Sequence, residues 1–313
     1  MRTTTVILCG VIAVGIAVAE LVASPGQAPG ARSGEASNPA QSGRKVYISA
    51  DIEGISGVTG AEQTSAAGAE YARGRRLMTE DVNAVIRGAL EGGASDILVN
   101  DSHGSMRNIL PEELSRPARL ISHSFKPDGM MQGLDESFDA VILVGYHAKA
   151  DSPVGLFAHT GSGVVRDVQI NGRSVGEGGM NTLFAAWYGV PVVMVTGDDV
   201  AVAQVKEVAT EARGVVVKRA INQRAAELRP LAEARDDIQR AAREAVAGAR
   251  KFAPRRTGPY RWTVSFRTSL IPEVAAAIPS VERPAPDTLS FSADSMPAGY
   301  RLFRVLYRYI NPD

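Results

Sequence analysis

Apolar and polar positions follow two different rhythms along this chain. In the first, short runs carry apolar side chains on both faces: Val46–Ala50, Ile97–Val99, Ala140–Val144 and Val192–Val195. Such runs are strands buried in a parallel sheet, because a half-exposed strand would alternate. Helix-like stretches separate them. One runs from Leu77 to Leu90 and meets a stop at Gly92-Gly93, and another covers Met180 to Tyr188. Between the third and fourth runs, Val168-Gln169-Ile170 and Arg173-Ser174-Val175 flank Asn171-Gly172, the sequence of a tight hairpin.

The second rhythm begins after about residue 225. Pro230 opens a helix with apolar or small residues at Leu231, Ala234, Ile238, Ala242, Ala245 and Ala249. Tyr260, Trp262, Val264 and Phe266 then alternate with Arg261, Thr263, Ser265 and Arg267, an amphipathic strand that Leu289, Phe291 and Ala293 can partner. A last helix, about 298–310, carries Arg301, Arg304 and Arg308, read here as a solvated face. The pattern predicts an α/β fold: a parallel-sheet domain over 45–225, with a smaller α+β domain over 226–313.

The first 44 residues follow neither rhythm. Arg2, the apolar stretch from Val6 to Val18 and the small-x-small series Ala17-Val18-Ala19 predict an export signal over 1–19. The stretch is short for an uncleaved membrane anchor. Leu8 before Cys9 is too large for a lipid-attachment signal. Residues 20–44 follow as a linker: from Pro25 to Arg44 there is no aromatic and no Val, Ile or Leu to bury. The expected location of the processed chain is periplasmic or secreted.

Composition then narrows the chemistry. Lys+Arg 34 against Asp+Glu 34 leaves no basic surplus for nucleic acid. Cys9, the single cysteine, falls in the expected signal, so disulfides, thiolate metal sites and a cysteine nucleophile are excluded from the processed protein. Ligands of an open parallel sheet gather beyond the carboxyl ends of its strands. There the chain has Asp51 and Glu53, then Asn100, Asp101 and His103, then His147, then Asp198 and Asp199. Carboxylates with neutral imidazoles suit zinc. Of the four histidines, His103 and His147 directly follow strands and read as ligands. His123 has no acidic motif beside it and reads as structural, while His159 alone is undecided.

Five blocks, in order, resemble the bacterial D-aminopeptidase family associated with dipeptide transport, a family of di-zinc metallopeptidases. They are Ser49–Gly57 around Asp51-Ile52-Glu53-Gly54, Val99–Gly104, Gly145–Ala150, Ala158-His159-Thr160, and Val175-Gly176-Glu177. The resemblance implies metal ligands at Asp51, Glu53, His103, His147 and Glu177, with Asp51 bridging two zinc ions per chain. It also implies a catalytic histidine at His159. Glu177 enters through the resemblance alone, since an acid near a helix start is adequate without a metal. Asp101, Asp198 and Asp199 are candidates for orienting the imidazoles, or equally for ordinary turns and caps.

The function this implies is zinc-dependent removal of an N-terminal D-residue from small peptides of the D-Ala-D-Ala type, by metal-activated water. The resemblance further implies a ring-shaped homo-oligomer, a decamer. Two alternatives remain at this level: another metal-dependent amidase or esterase, and a non-catalytic exported peptide- or metal-binding protein.

Overall fold

A computed structural model describes residues 43–310, so the expected signal and nearly all of the linker lie outside the described residues. Arg44, placed at the end of that linker, already opens the first strand. In chain order the first elements are β1 (Arg44–Ala50), α1 (Ala61–Thr64), α2 (Tyr71–Glu91), β2 (Ala94–Asp101), β3 (Arg119–Ile121) and β4 (Ala140–Tyr146). Next come β5 (Val165–Ile170), β6 (Arg173–Ser174), α3 (Glu177–Trp187), β7 (Val192–Asp198), α4 (Asp199–Lys206), β8 (Arg213–Ala220) and β9 (Ala226–Leu228). The last are α5 (Leu231–Ala247), β10 (Tyr260–Phe266), α6 (Leu270–Ala275), β11 (Glu282–Ala285), β12 (Thr288–Ala293) and α7 (Met296–Arg304).

The expected α/β architecture is present. Seven strands form one sheet in the order β3-β2-β1-β4-β7-β8-β9, parallel except for β9 at the edge. Both faces are covered, which explains the doubly apolar runs. Val46 and Ile48 of β1 join the core under α2 and α5, while Tyr47 points into the opposite core with Leu143, Phe184 and Trp262. Helices α2 and α5 pack closely at Gly88, where a Cβ would come within 2.1 Å of the Gln239 carbonyl oxygen.

A second, antiparallel sheet has the order β11-β12-β10-β5-β6. The alternation read over Tyr260 to Phe266 is its central strand: Tyr260, Trp262, Val264 and Phe266 all enter the core. Asn171 and Gly172 take φ 52° and 80°, the two left-handed positions of a primed hairpin turn.

The two sheets do not divide the chain at 225/226. β5 and β6 come from before that point yet pair with β10 from after it, and α5 from after it packs on α2. All described residues fall within one compact unit.

Strand β8 is the largest strand that the apolar pattern does not predict. Lys218 interrupts its run, Val215-Val216-Val217-Lys218, yet that lysine is fully buried. None of the helices among the described residues is long and apolar enough to cross a membrane.

Candidate metal centre

The sheet topology brings the expected ligands to one place. From β1 the chain moves outward to β2 and β3, then returns to β4 on the other side of β1. That reversal opens a crevice at the carboxyl ends of β1 and β4. Asp51 follows β1 directly and Glu53 stands two residues on, His103 follows β2, His147 follows β4, and Glu177 is the first residue of α3. The turn after Glu53 crosses β4 at close range. Gly54 N–H donates to Gly145 O at 2.7 Å, and a Cβ at Gly54 would lie 2.0 Å from Tyr146 O. Only glycine fits there.

Two groups of three donors share Asp51. One is Asp51, Glu53 and His103; the other is Asp51, His147 and Glu177. Asp51 Oδ1 lies 3.3 Å from His103 Nδ1, and Oδ2 lies 3.5 Å from His147 Nε2. Each carboxylate oxygen thus serves a different imidazole. Glu53 Oε2 stands 3.0 Å from His103 Nδ1, and Glu177 Oε2 stands 3.2 Å from His147 Nε2.

The far side of each ring settles what those contacts are. His103 Nε2 lies 3.0 Å from Thr64 O, and His147 Nδ1 lies 2.9 Å from Ala148 O. A carbonyl only accepts, so each of these nitrogens carries the proton of a neutral ring. The nitrogens facing the crevice then present lone pairs to carboxylate oxygens, acceptor against acceptor. Buried Glu53 Oε2 and His147 Nε2 have no hydrogen-bond partner. Such an arrangement is unfavourable unless a cation stands between the groups. Imidazole and carboxylate donors without sulfur fit zinc or a similar divalent ion.

Where no metal stands, protons serve in its place. Burial opposes charge on His103, but Glu53 and Asp51 outweigh it and hold the ring well above the usual imidazole range. At His147 burial is likewise outweighed, chiefly by Glu177, and the pKa rises to about 10. Glu177 falls to about 2 against the effect of burial, drawn down by His147. Without metal, the neighbouring carboxylates therefore favour a second proton on each ring, and a metal must displace those protons. Zinc added to metal-free protein is expected to release protons, with apparent affinity rising about tenfold per pH unit for each proton displaced. A pH-stat titration below pH 8 measures this; zinc uptake without proton release would contradict it.

His159 is held differently. Its ring stacks on His147 with centroids 4.0 Å apart and an interplanar angle of 11°. Nδ1 lies 2.7 Å from Phe157 O, so the proton sits there. Nε2, 3.8 Å from Glu177 Oε1, keeps its lone pair at the pocket. Burial and then the charge of His147 lower its pKa. This is a neutral ring with a free acceptor nitrogen. His159 also forms a third possible ligand group with Glu53 and His147.

The remaining expectations divide. His123 lies outside the cluster, exposed, with Nδ1 accepting from Ser124 N–H at 2.8 Å. Asp101, Asp198 and Asp199 touch none of the ligand imidazoles. Asp101 accepts from Ile109 N–H at 2.8 Å, Asp198 caps α4 through Ala201 N–H at 2.7 Å, and Asp199 accepts from Ala220 N–H at 2.8 Å. The imidazoles are oriented by backbone carbonyls instead. The solvated-face reading of the arginines holds for Arg301, paired with Asp128 at 2.6 Å. It fails for Arg304, which is only 3% exposed.

Two supports had no signal in the sequence. Thr64 supplies its carbonyl by virtue of the short helix α1. Lys218 donates from Nζ to the carbonyls of Glu53, Ile55 and Val58, at 2.6, 3.0 and 2.5 Å. It thereby fixes the segment that carries Glu53. Lys218→Met leaves three buried carbonyls without that donor and is expected to cost about 3 kcal/mol or more. Thermal unfolding together with zinc content checks this; an unaltered melting temperature and metal content would contradict it.

The cluster opens into a pocket of about 110 Å³, lined also by Ser102, Met106 and Gly161. A larger hollow of about 520 Å³ lies near the amino end of β7, beside Pro191, Arg213 and Glu244. It contains no imidazole, so the smaller pocket is where the chemistry belongs.

Comparison with known proteins gives the family. Residues 44–305 match the D-aminopeptidase family of peptidases. The chain belongs to the D-aminopeptidase family. Within it, the chain is 41% identical over 181 residues to a D-aminopeptidase of Bacillus subtilis, covering 58% of this chain and 66% of that relative. Among solved structures it resembles the zinc-dependent D-aminopeptidase DppA of Bacillus subtilis, described as a self-compartmentalizing protease. The TM-score is 0.81 and the identity 32%, over 86% of this chain and 99% of the other.

Proposed function

We propose that this D-aminopeptidase family member is a zinc-dependent hydrolase that removes the N-terminal D-residue from small peptides, D-Ala-D-Ala among them. The observation that carries the reading is the pair of donor groups joined at Asp51, with acceptor atoms facing one another across both. Asp51, Glu53 and His103 would hold one zinc ion, and Asp51, His147 and Glu177 a second. A bound pair of divalent ions supplies Lewis-acid chemistry, making water acidic and a carbonyl electrophilic.

The chain's own groups supply the rest. His159 Nε2, bare and neutral, can take a proton from the attacking water and hand it to the leaving amine. This places acceptance of a proton before any donation, because Nδ1–H is already committed to Phe157 O. Carboxylates at the crevice can hold the substrate's ammonium group. The pocket of about 110 Å³ beside the cluster suits a small peptide.

Hydrolysis of D-Ala-D-Ala and of its N-acetyl derivative tests the proposal. Chelator-sensitive release of D-alanine from the free peptide alone supports an aminopeptidase. Equal cleavage of both points to a general amidase, and no cleavage of either to a binding protein. Two further expectations belong to the same reading. The self-compartmentalizing relative supports a homo-oligomer, measurable by analytical ultracentrifugation. The sequence of residues 1–19 supports export, and N-terminal sequencing of mature protein should find a start near Glu20.

A further inference from the structure

The pocket over the ligand cluster has a second chemical end, built from the last helical turns. Beyond α7 the winding widens over Val305–Tyr309, and Ile310 N–H donates to Val305 O, five residues back, at 3.2 Å. Wide turns of this kind recur at functional sites. Arg304 ends α7, Tyr307 and Arg308 lie within the wide turn, and all three line the pocket that Asp51, His103 and Glu177 also line.

The three are fixed to different degrees. Arg304 donates from Nη1 to the carbonyls of Lys126 and Pro127, while its buried Nε has no partner. The Tyr307 ring covers Gly161, whose N–H donates to Glu177 Oε1 at 2.6 Å. Arg308 is exposed and spends one Nη2 hydrogen bond, 2.9 Å long, on Gly104 O. Neither Arg304 nor Arg308 is paired with a carboxylate among the described residues. The pocket is therefore lined both by ligand carboxylates and by two guanidinium groups without a carboxylate partner.

A guanidinium fork matches a carboxylate through two parallel hydrogen bonds. Gly104 is the residue after His103, and Arg308 lines the same small pocket as Asp51, His103 and Glu177, so the fork and the ligand cluster face one cavity. A dipeptide is the shortest peptide that offers an amino group to that cluster and a carboxylate to the fork. We propose that Arg308, with Arg304 beside it, binds the free C-terminal carboxylate of a dipeptide whose amino end lies at the metal-ligand cluster. The inference rests on the aminopeptidase reading and narrows it: a free carboxylate two residues from the amino end becomes part of what the site recognises.

The test uses a D-Ala-D-Ala analogue with CH₂–NH in place of the scissile CO–NH, and the C-terminal amide of that analogue. Calorimetry measures both on full-length, zinc-loaded wild type, Arg308→Ala and Arg308→Lys. Wild type is expected to bind the acid about 10- to 100-fold more tightly than the amide. Arg308→Ala should lose most of that preference by weakening the acid form, and Arg308→Lys should restore part of it. Equal binding of acid and amide by wild type, equal weakening of both by Arg308→Ala, or no binding of either overturns the proposal. Hydrolysis of D-Ala-D-Ala is followed in parallel. An inactive protein that still prefers the acid sinks the aminopeptidase reading and leaves the subsite standing, whereas an active enzyme without the preference sinks the subsite alone.

Discussion

Asp51→Asn is expected to empty both metal positions and abolish hydrolysis. Each oxygen of Asp51 faces a different imidazole, at 3.3 and 3.5 Å, so one side chain serves both donor groups. Asparagine preserves the volume and the oxygen that accepts Ile52 N–H at 2.9 Å, so the turn after β1 should survive. It removes the negative charge that two cations would share. Metal content should fall from about two ions per chain to below one, and turnover by about three orders of magnitude or more. Elemental analysis beside the rate of D-alanine release measures both. A variant that kept full metal and activity would falsify the bridging assignment. Loss of one ion alone would make Asp51 a ligand of a single site.

His159→Ala is expected to keep its zinc and lose about two to four orders of magnitude in turnover. The ring contributes a neutral acceptor nitrogen at the pocket and is anchored by Phe157 O rather than by a ligand carboxylate. Its work falls on the proton in flight, so kcat should drop far more than substrate affinity. The third donor group, with Glu53 and His147, gives the measurement its second arm. Zinc lost in step with activity would make His159 a ligand. Full activity would remove it from the reaction. His103→Ala should lower zinc content and rate together, and His123→Ala, outside the cluster, should change neither.

Which parts of this could be read from the sequence follows from how local the cause was. The doubly apolar runs at Val46, Ile97, Ala140 and Val192 became β1, β2, β4 and β7, because burial on both faces leaves its mark in each run separately. The Asn171-Gly172 turn and the alternation from Tyr260 to Phe266 are equally local, and both are present. Strand β8 escaped because Lys218 looks like a surface residue. Three backbone carbonyls from a segment some 160 positions earlier make its burial tolerable.

The site divides in the same way. Asp51, Glu53, His103 and His147 were legible because each follows a strand, and strand ends are where a parallel sheet gathers its chemistry. Glu177 opens a helix, and its carboxylate becomes a candidate ligand only because α3 starts beside His147; by composition it is an ordinary helix-start acid. Arg304 read as a solvated residue and is buried, its fork turned to the Lys126 and Pro127 carbonyls.

The sequence by itself determined the four core strands of the parallel sheet, the hairpin and the longer helices, which residue types could hold a metal, and that Cys9 is the single cysteine. The tertiary structure alone decided three things. It decided that Asp51 faces two imidazoles, which nitrogen of each ring carries the proton, and that the last helix closes the pocket with arginine. Each depends on distances between residues far apart in the chain, such as His103 to Thr64 and Arg308 to Gly104. Local patterning has no term for such distances. They are set by how the sheet orders its strands and where the helices come to rest upon it.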